Sequence, residues 1–220
     1  MANLVLVNSN HSKQSTKHIY NVQAQVCYHG IDSKVFHIKN DCPKQNHILS
    51  VGALQPLKGF DFLIESLSLI PSPQRPLVKI IANSVTPGYR EFLENLAKEK
   101  EVNLLIEIDL PLEALVCQYN KAALLVYVPY NEPFGLVPLE AMACGAPVLG
   151  IAEGGVLETV VDGVNGRLLP RDPDQFAVAI QRHLEDPNLG RQLAETGREY
   201  VVQNWSWDKA ADNMEYYLAQ

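Results

Sequence analysis

Two glutamates, Glu132 and Glu140, bracket the segment Glu132-Pro-Phe-Gly-Leu-Val-Pro-Leu-Glu140. Between them, Phe134-Gly135 marks the point where a strand-like run gives way to a helix-like one. A helix start leaves backbone N–H groups without partners, and its dipole favours negative charge, so it suits a phosphate. A carboxylate nearby suits sugar hydroxyls, which donate to it in charge-assisted hydrogen bonds. The segment therefore reads as a seat for a phosphorylated sugar compound. An arbitrary pair of glutamates would more often be solvated or salt-bridged.

Two further turns argue for a site. In Ser50-Val-Gly52-Ala-Leu-Gln-Pro-Leu-Lys58-Gly59 a strand ends at Gly52 and a helix opens after Lys58-Gly59. Gly52 lets backbone approach a ligand, and Lys58 brings a mobile positive charge to a phosphate. The order of residues is neither that of a P-loop nor that of a Gly-x-Gly-x-x-Gly dinucleotide loop. The third turn, Ala152-Glu-Gly154-Gly155-Val-Leu-Glu158, offers N–H donors and close backbone approach after another strand. Each turn alone is an ordinary strand-to-helix connection. Together, at the carboxyl ends of strands, they describe a crevice with N–H donors, one lysine and two carboxylates.

The elements that must position these residues are legible as runs. Strands are expected at Leu4–Val7, Gln25–Tyr28, His47–Val51, Val78–Ala82, Asn103–Ile108, Ala123–Val128 and Val148–Ile151. Their continuous apolar character suits parallel strands covered on both faces. Helical spacing appears in Phe60, Leu63, Ile64 and Leu67, in Tyr89, Phe92, Leu93, Leu96 and Ala97, and in Phe176, Ile180 and Leu184. A helix is expected from near Gly135 to about Cys144, stopped by Gly145. The alternation predicts an α/β fold: a Rossmann-like, doubly wound parallel sheet with helices on both faces. Residues 1–40 read differently, as strand, polar helix (about Ser12–Tyr20) and strand, followed by a polar connector around Pro43. They are too few to bury a core and read as the edge of something larger.

Bulk properties narrow the classes. A net charge of −7 over 220 residues disfavours broad electrostatic binding of nucleic acid. A hydrophobic fraction of 47% supports a sizeable core. No apolar run reaches the ~18–20 residues of a membrane span, and the start, MANLVLVNSN, lacks the pattern of a signal peptide. Cys27, Cys42, Cys117 and Cys144 form no Cys-x-x-Cys pair, so free thiols in a reducing cytoplasm are expected. The histidines show no metal-site spacing, and no metal or other cofactor is expected.

Gly52…Lys58-Gly59, Glu132-Pro-Phe-Gly…Glu140-Ala-Met-Ala-Cys-Gly-Ala-Pro-Val, Gly154-Gly155-Val-Leu-Glu158 and Asp162-Gly-Val-Asn165-Gly166-Arg-Leu-Leu, in this order, resemble the group 1 retaining glycosyltransferases. Trp205-Ser-Trp207-Asp resembles that family's late aromatic segment. The resemblance covers about residues 47–215 and implies the C-terminal, donor-binding half of a GT-B fold. By it, residues 1–40 are a remnant of the N-terminal domain with the interdomain connector, and residues 41–220 the nucleotide-sugar-binding domain. It implies that Glu132 contacts the donor sugar and Glu140 the ribose. It also implies that Lys58 and backbone amides of Phe134, Gly135, Leu136 and Val137 hold the diphosphate, and that Gly52, Gly154 and Gly155 line the site. The implied reaction is retaining transfer of a sugar from a nucleotide-sugar substrate to an acceptor hydroxyl, without metal. The missing N-terminal domain would bind the acceptor, so the chain alone would be inactive. Location would be cytoplasmic, with the longer protein peripheral at the inner membrane face. Ala53 stands where many members carry arginine, and Asn83-Ser84 replaces a glycine-containing turn. Two alternatives are a nucleotide-binding module without transferase chemistry and another GT-B enzyme such as a sugar-nucleotide epimerase.

Overall fold

The computed structural model describes residues 4–219. The chain opens with β1 (Leu6–Val7), α1 (Asn10–Tyr20) and β2 (Gln25–Val26), and the two short strands pair only with each other, in parallel. There follow β3 (His47–Val51), α2 (Phe60–Ser68), β4 (Leu77–Ala82), α3 (Tyr89–Glu99), β5 (Leu104–Ile108), α4 (Leu112–Lys121), β6 (Leu124–Tyr127), α5 (Leu136–Ala143) and β7 (Val148–Ile151). The chain closes with α6 (Val156–Thr159), β8 (Arg167–Leu169), α7 (Pro173–Glu185), α8 (Pro187–Asn204) and α9 (Trp207–Leu218). Strands β3 to β8 form one six-stranded sheet in the order β5-β4-β3-β6-β7-β8, parallel throughout.

Alternate residues of each strand feed opposite cores, because side chains of a strand point to its two faces in turn. Ile48, Ile80, Leu124 and Val126 pack with Phe60, Leu63, Leu67, Leu93, Phe176 and Ile180 from α2, α3 and α7. Leu49, Ile81, Leu125 and Tyr127 pack with Val116, Leu139, Met142 and Val201 from α4, α5 and α8. Full burial of each such side chain contributes about 1.5–3 kcal/mol, which explains the mainly apolar make-up of the strands. The doubly wound Rossmann-like arrangement is thus the one expected from the run pattern. The five later expected strands hold to within a residue at either end, while the first begins two residues late, at Leu6, and the second ends two residues early, at Val26.

One strand, β8, has no counterpart among the expected runs. It is three residues long and half exposed, and follows the Asp162-Gly163 turn, so its sequence lacks an apolar run. Local capping explains several helix starts. Asp172 and Asp186, each followed by proline at the first helical position, accept hydrogen bonds from the opening N–H groups of α7 and α8.

The expectation of four free thiols is corrected. Cys42 and Cys117 form a disulfide between residues 75 apart in sequence, with Cα atoms 5.6 Å apart. Cys27 and Cys144 are free and buried. Sequence spacing could not reveal the pair, because it depends on the connector folding back onto α4. Asn120 of α4 fixes that contact, accepting from Lys39 N at 2.7 Å and donating to His37 O at 2.9 Å. Thiol content therefore no longer argues for a reducing compartment. Closing so long a loop restricts the unfolded chain, and its loss costs about 2–4 kcal/mol. Cys117→Ser should lower the melting temperature by roughly 4–16 °C, as should reduction of the wild type. Calorimetric unfolding traces unaffected by either change would contradict this linkage.

Candidate functional site

The sheet's order reverses between β3 and β6, where the connections depart in opposite directions. Open α/β sheets bind ligands at such a switch point, beyond the carboxyl ends of the strands. Here that place is a cleft of about 790 Å³. Its walls bring together Gly52, Lys58, Glu132, Phe134, Gly135, Leu136, Val137 and Glu140, all named from the sequence. Ala53, Asn83, Asp109 and Tyr127 also line it. Gly154 and Gly155 do not.

Lys58 ends a short 3-10 turn after β3, and its aliphatic stem passes over Gly52. Its Nζ donates to Glu132 Oε2 at 2.6 Å, and the two side chains are 20% and 18% exposed. The helix behind them, α5, begins after Gly135 without any side-chain cap. Side-chain caps close α1, α7, α8 and α9, whereas α2, α3, α4 and α6 lack one as α5 does; α5 is the helix among these whose N-cap and first residues, Gly135, Leu136 and Val137, line the cleft. The opening N–H groups of α5 are thus left for a ligand in the cleft, as the dipole also favours.

Glu140 lies in the second turn of α5, mostly buried. Burial pushes its carboxyl above the usual carboxylate range, and a hydrogen bond from Tyr119 partly offsets this. The Tyr119 hydroxyl donates to Glu140 Oε2 at 2.6 Å. Burial first, and the Glu140 charge second, hold Tyr119 well above its ordinary value, so it stays a donor. Tyr119 was missed in the sequence because it sits on another helix, at a spacing that signals nothing. Tyr127 is likewise held protonated, by burial and then by Glu132.

The two glycines expected to line the site instead support it from behind. A Cβ on Gly155 would overlap the backbone of Pro133 and Phe134, and one on Gly154 the backbone of Glu132. Gly154 also takes φ 59°, which disfavours other residues. Gly155 N donates to Glu132 O at 2.7 Å. Close backbone approach was the right reason for these glycines, but the partner is the Glu132 loop itself. Arg171, unremarked in the sequence, ties the same loop down. Its guanidinium donates to Val128 O at 3.0 Å and Pro129 O at 2.8 Å, and to both oxygens of Glu153 at 2.9 Å. It also stacks 3.7 Å from the Tyr130 ring centre. Phe134 is buried among Tyr28, His29 and Trp205, so its contribution to the cleft wall is packing and backbone. Among the described residues no group of three or more His, Cys, Asp or Glu side chains could hold a metal ion.

The model of the family described as "Glycosyl transferases group 1" matches residues 32–200. The chain belongs to this family. The D-inositol 3-phosphate glycosyltransferase of Xylanimonas cellulosilytica is 37% identical over 176 residues, covering 79% of the chain and 42% of the relative. The enzyme of the same name from Streptomyces bingchenggensis is 35% identical over 173 residues, covering 74% and 38%. The chain thus spans about two fifths of the length of these curated relatives. Among solved structures, sucrose-phosphate synthase from Thermosynechococcus elongatus superposes with a TM-score of 0.89 at 30% identity, over 100% of the chain and 58% of that protein. Anabaena HepE in complex with UDP-glucose gives a TM-score of 0.88 at 22% identity, over 100% of the chain and 65% of that protein. These neighbours have the GT-B fold, and the sheet described above is its Rossmann-like unit.

The raised pKa of Glu140 has a consequence for stability. A carboxyl whose folded pKa exceeds its unfolded value is held more tightly as the acid in the folded state. Its contribution is present in full below the unfolded pKa and is lost as pH rises through the folded pKa. Glu140→Gln is uncharged throughout and can still accept from Tyr119. Its melting temperature should therefore rise relative to the wild type as pH goes from about 4 to 8. Parallel melting curves over that range, with a constant difference, would refute the assignment.

Proposed function

We propose that the cleft binds a nucleoside diphosphate sugar and that the chain is the donor-binding part of an enzyme transferring the sugar to an acceptor hydroxyl with retention. The observation that carries this is the meeting, in one cleft, of Lys58, the uncapped start of α5 and two glutamates in different surroundings. The N–H groups of Leu136 and Val137, with Lys58, suit the diphosphate. Glu140, held by Tyr119, suits the ribose hydroxyls deeper in the cleft, and Glu132 suits the sugar. HepE, with UDP-glucose in its complex, shares the fold and so supports a nucleotide-sugar donor.

In the reaction the bond from the anomeric carbon to the diphosphate oxygen breaks as the acceptor oxygen bonds to that carbon on the same face, and the acceptor proton passes to the departing diphosphate oxygen. Negative charge collects on the leaving diphosphate. Lys58 and the α5 dipole are fixed where this charge develops, so they lower the barrier without reorganising. The role requires no metal, and the nucleotide sugar is a substrate rather than a cofactor.

Residues 4–31 fit the far edge of a preceding domain, and the catalytic unit would need that domain for its acceptor. Their contact with the sheet domain is specific. Glu158 accepts from Asn10 N at 2.8 Å, His11 N at 3.0 Å and the Tyr28 hydroxyl at 2.8 Å, so it caps α1. Burial works to raise the Glu158 pKa, but these hydrogen bonds outweigh it and lower the value. The chain alone would bind donor and transfer little sugar. Among the described residues no helix is long and apolar enough to cross a membrane.

Titration calorimetry with UDP, GDP and ADP tests the proposal. At least one should bind. Glu140→Ala should weaken that nucleotide, and Lys58→Met its glucose conjugate, each roughly 10–150-fold, since each removes a hydrogen bond to or from a charged group of about 1.5–3 kcal/mol. No binding of any of the three, or of their glucose conjugates, to folded wild type at millimolar concentration would sink it.

A further inference from the structure

Lys58 is already engaged by a carboxylate. Its Nζ lies 2.6 Å from Glu132 Oε2, and neither side chain is more than 20% exposed. Among the described residues that line the cleft, no other lysine or arginine is present. A diphosphate entering the cleft meets this pair. Drawing Lys58 away leaves Glu132 poorly hydrated, with the neutral Tyr127 hydroxyl in place of a cation, and leaving the pair intact sets phosphate and carboxylate side by side. Either outcome opposes a bare anion.

Glu132 cannot withdraw by moving its backbone. Its carbonyl is held by Gly155 N at 2.7 Å, and Gly154 and Gly155 leave no gap beneath it. The preceding residues are pinned by Arg171 and by Tyr130 N, which donates to Leu57 O at 2.8 Å. The carboxylate must therefore find its replacement partners within the cleft. A sugar carried on the diphosphate provides them, because its hydroxyls donate to Glu132 in place of the ammonium.

We infer that Glu132 competes with the diphosphate for Lys58 and so biases the cleft toward the sugar-bearing nucleotide and against the bare nucleoside diphosphate. This rests on the donor-site reading given above and extends it to product release. Before transfer, sugar hydroxyls occupy Glu132 and Lys58 is free for phosphate. After transfer the hydroxyls leave with the acceptor, Glu132 reclaims Lys58, and the diphosphate loses its cation.

The test uses the whole chain, with UDP, GDP and ADP and their glucose conjugates titrated calorimetrically into wild type, Glu132→Gln and Glu132→Ala. Two variants are used so that one can replace the other should its melting curve show misfolding. The bare diphosphate that binds should bind the variants roughly 3–10-fold more tightly than the wild type, since an opposing carboxylate has been removed. The preference for the glucose conjugate over the bare diphosphate should shrink in the same variants. A nucleotide that binds the variants and not the wild type would support the inference further. Wild-type binding with unchanged or weaker affinity in the folded variants would overturn it while leaving the donor-site reading intact. Absence of binding to wild type and variants alike would remove both.

Discussion

The backbone of Glu132–Phe134 rests directly on Gly154 and Gly155, at a separation that admits no Cβ between them. The rest of the site follows from that contact. It fixes the loop after β6 against the loop after β7, and Tyr130 N bonded to Leu57 O fixes it to the loop after β3. Arg171 closes the arrangement by gripping two carbonyls of the β6 loop and the carboxylate of Glu153 at once. Four of its guanidinium hydrogen bonds serve this purpose, a use that suits the rigid fork of arginine better than lysine. Three irregular loops are thereby joined at one edge of a rigid parallel sheet, and Glu132, Lys58 and the start of α5 acquire fixed relative positions.

On that frame the two glutamates diverge. Glu132 stands at the loop, in an ion pair with the Lys58 ammonium. Glu140 stands on the helix, mostly out of water, with a single neutral hydroxyl donating to it. One is suited to exchange partners, since its present partner is also the natural partner of a phosphate. The other is suited to accept from a ligand that completes its hydrogen bonds, since Tyr119 satisfies only part of its capacity. Glu140 is costly to bury, and the proposed contact with ribose hydroxyls would complete its hydrogen bonds.

The sheet was legible because its signal is local and repeated. Short apolar runs such as His47–Val51 and Val148–Ile151 carry their own evidence of burial, and both match the observed strands residue for residue. The residues lining the cleft were legible for a related reason, since Gly52, Lys58 and Phe134–Val137 lie at strand or helix ends that the runs define. What remained hidden depends on contacts between distant segments. Tyr119 reaches Glu140 from a separate helix, and Arg171 reaches Val128 from beyond β8. Cys42 meets Cys117 only because the connector lies on α4. The glycine pair shows a subtler limit: the need for close approach was readable, but whether backbone or ligand approached was not. Glu158 shows another, for its capping of α1 joins segments 148 residues apart and leaves no mark on local spacing.

On the donor-site reading the start of α5 is the phosphate seat of the cleft. Backbone amide NMR during titration with whichever nucleoside diphosphate binds is the decisive measurement. The largest shifts should fall on the N–H groups of Leu136 and Val137, with Gly52 close behind. Shifts concentrated instead on the groove beside β8, around Arg167, Val178 and Leu193, with Leu136 and Val137 unmoved, would contradict it.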